Sequence, residues 1–111
     1  MGVNNGTAFI DITDSTSPIY LGKLPTATVI SSWRDMKVYN DHVYIVSEAA
    51  DHGLQVFNLT KLRGVESKQV FSADYVDKSF GNAHNIAINE DSGYAYIAGA
   101  GLNGVYAFNL S

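Results

Sequence analysis

The chain has 111 residues, 46% of them hydrophobic, a formal net charge of −4 and no cysteine. That length allows one small domain, and the apolar share is ordinary for a packed protein and too high for a disordered one. Acidic and basic residues are interspersed with no basic patch, which argues against a nucleic-acid partner, and without cysteine there are neither disulfides nor thiolate chemistry.

The first residues, Met1-Gly2-Val3-Asn4-Asn5-Gly6, lack the basic and apolar halves of a secretory leader. Position 6 is glycine where a myristoylation signal needs Ser or Thr. No apolar run approaches the roughly 18 residues of a membrane span. The apolar runs along the chain are short, β-branched and aromatic, punctuated by Gly, Asn, Asp and Pro, which is the pattern of strands. Strands are expected over 7–12, 18–24, 34–39, 42–47, 54–59, 67–73, 84–89, 94–99 and 104–110. Asp14-Ser15-Thr16-Ser17 is a loop, and Pro18 marks the edge of the next strand because it cannot donate to a ladder. Asn40-Asp41 is a tight hairpin turn, since both residues tolerate positive φ. Thr60 is expected to cap a single turn over Lys61-Leu62-Arg63, ended by Gly64. Glu90-Asp91-Ser92-Gly93 is a longer turn with Gly93 as its left-handed residue. Gly99-Ala100-Gly101 imitates the start of a phosphate loop but opens no helix.

The chain repeats itself. Val43-Tyr44-Ile45-Val46-Ser47-Glu48 leads to Gly53-Leu54-Gln55-Val56-Phe57-Asn58-Leu59-Thr60. Ala95-Tyr96-Ile97-Ala98-Gly99-Ala100 leads to Gly104-Val105-Tyr106-Ala107-Phe108-Asn109-Leu110-Ser111. Val43 to Ala95 spans 52 positions and Phe57 to Phe108 spans 51. A third, partial copy, Thr7-Ala8-Phe9-Ile10-Asp11-Ile12-Thr13, precedes the second at a spacing of 48, taken from Phe9 to Phe57. A strand repeat of about 40 to 50 residues is the signature of a β-propeller blade. The expected fold is therefore all-β, built of antiparallel four-stranded meanders. Residues 7–24 are the outer two strands of one blade, 34–73 a complete blade, and 84–110 three strands of the next. Two and a quarter blades make an incomplete propeller, because propellers have four to eight. The chain is thus expected to be a fragment of a longer protein, or else to self-associate through its open strand edges.

Longer stretches carry a resemblance. Trp33-Arg34-Asp35-Met36-Lys37-Val38-Tyr39, Val46-Ser47-Glu48, His52-Gly53-Leu54-Gln55-Val56-Phe57-Asn58-Leu59-Thr60-Lys61-Leu62-Arg63 and Ala83-His84-Asn85-Ile86-Ala87-Ile88-Asn89-Glu90-Asp91-Ser92-Gly93-Tyr94-Ala95-Tyr96 resemble the choice-of-anchor B proteins. Phe9-Ile10-Asp11-Ile12-Thr13-Asp14 followed by Pro18-Ile19-Tyr20-Leu21-Gly22-Lys23-Leu24 looks like one LVIVD repeat of that family. These are bacterial surface or secreted propellers, so the resemblance implies export and display, with an extracellular or cell-surface location, and no reaction. Asn58 and Asn109 depart from it, standing where such repeats commonly carry Asp.

Propeller topology would place the connections 25–33, 48–53, 74–83 and 100–103 on one face, beside the starts of the innermost strands. Trp33, Arg34, Asp35, Glu48, Asp51, His52, His84 and Asn85 should then gather around one mouth, with Arg34 equivalent to His84 and Asp35 to Asn85. Asp35, Glu48, His52, His84 and Asn85 can be read as a site for a polar ligand or a divalent cation such as calcium, imidazoles pulling the preference toward a transition metal. The competing reading is that such groups bind backbone or channel water and fix blade geometry. Trp33, the only tryptophan, is either a stacking platform for a sugar or peptide or a packing residue between blades. Arg34 either grips a carboxylate or pairs with Glu48 or Asp35. No cofactor motif stands out, and no serine lies in a nucleophile elbow. The expected function is a non-enzymatic recognition or scaffold segment with a protein or glycan ligand. The rival is a metal-assisted hydrolase or lyase using Asp35, Glu48, His52 and His84.

Overall fold

The computed structural model describes residues 1–99 and 104–111; the loop 100–103 and the Gly99-Ala100-Gly101 motif fall wholly or partly outside them. The described chain is all-β, with three sheets and one short 3₁₀ turn. The strands are β1 (Gly2–Val3), β2 (Gly6–Asp11), β3 (Ile19–Pro25), β4 (Arg34–Tyr39), β5 (His42–Ser47), β6 (Leu54–Asn58), β7 (Gln69–Val70), β8 (Tyr75–Asp77), β9 (Asn85–Asn89), β10 (Tyr94–Ala98) and β11 (Val105–Asn109). They form sheets in the orders β1-β2-β3-β7, β4-β5-β6-β8 and β11-β10-β9.

The turns do what their residues dictate. Asn40 and Asp41 both take positive φ, 48° and 61°, so the β4–β5 hairpin closes with the twist its strands need. Gly93 takes φ 72° in the β9–β10 turn. The capping expectation is off by two residues. Asn58, not Thr60, caps the turn Leu59–Leu62: its side-chain oxygen accepts from the Thr60 amide at 3.0 Å and the Thr60 hydroxyl at 2.7 Å. The same turn recurs at Asp11 with Thr13 and at Asn109 with Ser111. This aligns Asp11 with Asn58 and Asn109, so the first repeat spacing is 47 rather than the 48 counted from Phe9.

Three expectations about the strands need correction. Segment 67–73 is not the fourth strand of the middle sheet. Only Gln69–Val70 is extended there, and it pairs with β3 of the first sheet. That pairing is parallel, the one departure from antiparallel order among the described strands. It needs Gly22, because a Cβ there would collide with the Gln69 backbone. The fourth place in the middle sheet belongs to β8, in a segment whose sequence reads as a connection. Asp74 steers the chain back: its amide donates to the Val56 carbonyl at 2.8 Å, while its carboxylate accepts from the Asn58 amide and pairs with Lys61. Finally, β2 and β3 are the middle strands of the first sheet rather than its outer pair, since β1 forms from the polar N-terminal run.

Sheet stacking follows from β5. Its side chains alternate faces, and both faces are buried. Val43 and Ile45 join Phe9, Leu21, Leu24, Phe57 and Phe71 between the first and middle sheets. Tyr44 and Val46 join Leu54, Phe80, Ala83, Ile86, Ala95 and Ile97 between the middle and third sheets. The middle sheet is therefore covered on both sides, as its nearly continuous apolar run Val43-Tyr44-Ile45-Val46 requires.

Candidate functional site

The three sheets meet along their edge strands β1, β4 and β9. The Arg34 guanidinium Nε donates to the Val3 carbonyl at 3.3 Å, tying β4 to β1. The Asp35 carboxylate accepts from the Ile86 amide at 3.0 Å, tying β4 to β9. Asp35 lies opposite Val46 and Asn85 opposite Ala98, positions that the 52-residue repeat equates. The equivalence of Asp35 with Asn85 thus holds in the ladder register.

At the head of β4 the backbone is tightly held. The Trp33 carbonyl accepts from the Ser47 hydroxyl at 2.9 Å and the Glu48 amide at 3.3 Å. The indole is thereby aimed at the third sheet. Its ring lies flat on the His84 imidazole, with centroids 4.3 Å apart and planes 1° from parallel. The indole N–H donates to the His84 carbonyl at 2.5 Å. His84 Nδ1 lies 3.0 Å from a Glu48 carboxylate oxygen. Trp33, His84 and Glu48 so form one shelf across the junction of two sheets, each about 40% exposed. The two readings of Trp33 are not exclusive: it packs between sheets and also stands open to solvent.

Arg34 and His52 turn the other way. His52 is fully buried. Its Nδ1 lies 2.9 Å from the Gly53 carbonyl and its Nε2 2.9 Å from Arg34 Nη1. A carbonyl only accepts and a guanidinium only donates, so the proton sits on Nδ1 and the ring is neutral. Burial disfavours the imidazolium, and the charges of Arg34 and Lys78 act in the same direction. Together they outweigh the hydrogen bond to the Gly53 carbonyl and hold the His52 pKa below its ordinary value. Arg34 therefore pairs with His52 rather than with Glu48 or Asp35. Its Nη2 is sealed from solvent without a protein partner among the described residues, so this group does not grip an external carboxylate.

The expected cluster is thus divided. Of Asp35, Glu48, His52 and His84, only Glu48 and His84 meet. Asp35 is occupied by the amides of Met36 and Ile86 and by Lys37. Among the described residues, no three His, Cys, Asp or Glu side chains assemble in a way that could hold a metal ion. Asn85 is exposed at the start of β9, and Asp51 is exposed with its carbonyl bound by Lys78.

Two residues beside Trp33 carried no signal in the sequence. Asn4 and Ser32 join Gly2, Val3, Trp33 and Arg34 around a cleft of about 320 Å³ between β1 and β4. Asn4 belongs to a polar run that reads as a tail, and its value appears only once β1 pairs. No helix among the described residues is long and apolar enough to cross a membrane. No protein-family model, curated protein or solved structure matches this chain.

Proposed function

We propose that the chain is a segment of an exported bacterial surface β-propeller that acts as a recognition or scaffold module for a protein or glycan. Three sheets stacked face to face with their edge strands β1, β4 and β9 adjacent are what consecutive blades require. The observation that carries the recognition reading is the Trp33–His84–Glu48 shelf. An indole, an imidazole and a carboxylate are held rigidly at a sheet junction yet remain open to solvent. Rigid, amphipathic aromatic surface of this kind is what binding sites use to anchor a partner. Exposed apolar side chains on the first and third sheets, among them Ile10, Ile19, Val70 and Val105, are the faces that further blades or a second copy would cover.

The test is to probe arrays of glycans and of peptides with labelled protein, comparing wild type with Trp33→Ala and Glu48→Ala. Binding that is lost in both variants supports the reading. Binding unchanged by either substitution, or absent from both arrays, overturns it.

A further inference from the structure

We infer that the cleft between β1 and β4 takes a neutral pyranose ring, stacked on Trp33 and hydrogen-bonded by Asn4 and Ser32. This deepens the recognition reading and rests on it. The cleft, of about 320 Å³, lies at the lower end of the size range of small-ligand sites. His84 covers one face of the indole, so what the cleft touches is the opposite face or the ring edge. The indole N–H is already spent on the His84 carbonyl, and Trp33 therefore offers an apolar surface rather than a donor. A pyranose has an apolar C–H face that suits such a ring, and hydroxyls around its rim.

The polar wall matches that rim. The Asn4 side chain provides a carbonyl acceptor and two N–H donors, and the Ser32 hydroxyl provides both functions. Neither side chain makes a hydrogen bond to another described residue, and both are exposed. The neighbouring backbone is nonetheless fixed: the Asn4 carbonyl accepts from Ser31 at 2.9 Å, and Ser31 also bonds Trp33. Position is thus set before a ligand arrives, which lowers the ordering cost of binding. Arg34 decides between a neutral and an acidic sugar. Its Nε and Nη1 are bound to Val3 and His52, and Nη2 is sealed from solvent, so the cation is not presented to a carboxylate.

Trp33 is the only tryptophan, so its fluorescence reports on binding at this residue, and the Asn4 and Ser32 variants assign that binding to the cleft. The protein is titrated with methyl glucoside, methyl mannoside, N-acetylglucosamine, glucuronic acid and an uncharged tripeptide. A saturable emission change with at least one neutral sugar is expected, with glucuronic acid weaker. Asn4→Ala and Ser32→Ala should each weaken that binding about five- to tenfold, the loss of one hydrogen bond. Trp33→Phe keeps a ring in place, and its binding, read by calorimetry, should fall without being abolished. No saturable change with any neutral sugar overturns the inference, as does tighter binding of glucuronic acid or binding indifferent to Asn4 and Ser32. If the tripeptide alone binds, the sugar assignment falls while the recognition reading stands.

Discussion

Strands β6 and β11 carry related sequences in two different settings. Gly53-Leu54-Gln55-Val56-Phe57-Asn58-Leu59-Thr60 and Gly104-Val105-Tyr106-Ala107-Phe108-Asn109-Leu110-Ser111 share their glycine, phenylalanine, asparagine and leucine. Yet Leu54 and Phe57 are 2% and 0% exposed, while Val105 is 62% exposed and Phe108 only partly covered. The difference is in the neighbours. β6 pairs with β5 and β8 and is covered on both faces, Phe57 toward the first sheet and Leu54 toward the third, whereas among the described residues β11 pairs with β10 alone. Burial at these positions is therefore conferred by the adjacent sheets and not by the strand itself.

The sharpest way to break that comparison is to truncate the equivalent phenylalanines. Phe57 stacks on Phe9 at 4.9 Å and meets Phe71 edge-on at 5.4 Å. Phe57→Ala should cost about 3–5 kcal/mol of stability. Phe108, which touches Phe80 at 5.9 Å near the surface, should cost about 1–2 kcal/mol when cut to Ala. Urea unfolding of both variants measures this; equal losses would mean that the two settings are energetically alike.

The next effect is at the inner edge of the middle sheet. Arg34→Met preserves much of the stem but leaves His52 Nε2 buried without a donor. A loss of about 1–3 kcal/mol is expected by thermal or urea unfolding. A neutral outcome would mean that the pair contributes nothing to the junction.

The same histidine gives a pH signature. Its folded pKa lies below the unfolded value near 6.5, so the folded state binds the proton less readily. Its contribution is present above about pH 6.5 and is lost as pH falls through that value toward the folded pKa. The depressed carboxylates Asp74 and Asp77 act only lower, below about pH 4. His52→Gln should therefore flatten the stability profile below about pH 6.5 and above the carboxylate range, relative to wild type. A variant profile parallel to wild type across that window would refute the assignment.

The smallest effect compares the caps. Asn58→Ala removes the acceptor for Thr60 and should cost about 1 kcal/mol, while Asn58→Asp keeps an oxygen there and should be nearly neutral. Asn109→Ala, at the open strand, should cost less than Asn58→Ala. Melting temperatures of the three variants rank them.

Much of the fold is readable from residues. The Asn40-Asp41 hairpin, the start of β3 after Pro18 and the strand over 42–47 all come from turn chemistry and strand patterning. β8 does not, because Tyr75-Val76-Asp77 is three residues long, too short for a period-two signal to stand out. The parallel seat of Gln69–Val70 is equally hidden, since it depends on Gly22 nearly 50 positions earlier. At the junction of the middle and third sheets, the sequence singles out Trp33, Glu48 and His84, which do meet. It does not tell that Arg34 and His52 turn inward, because that depends on how the sheets pack against one another. Nor does it single out Asn4 or Ser32, which come to line one cleft only through the folded arrangement of β1 and β4.

Amide hydrogen exchange tests the contrast between β6 and β11 most directly. With ladders on both flanks, Gln55 and Val56 should exchange slowly. In β11 every second amide points away from β10, so protection across 105–109 should alternate between slow and nearly unprotected. Uniform protection along β11, or exchange at Gln55 and Val56 as fast as on the β11 edge, would contradict the account.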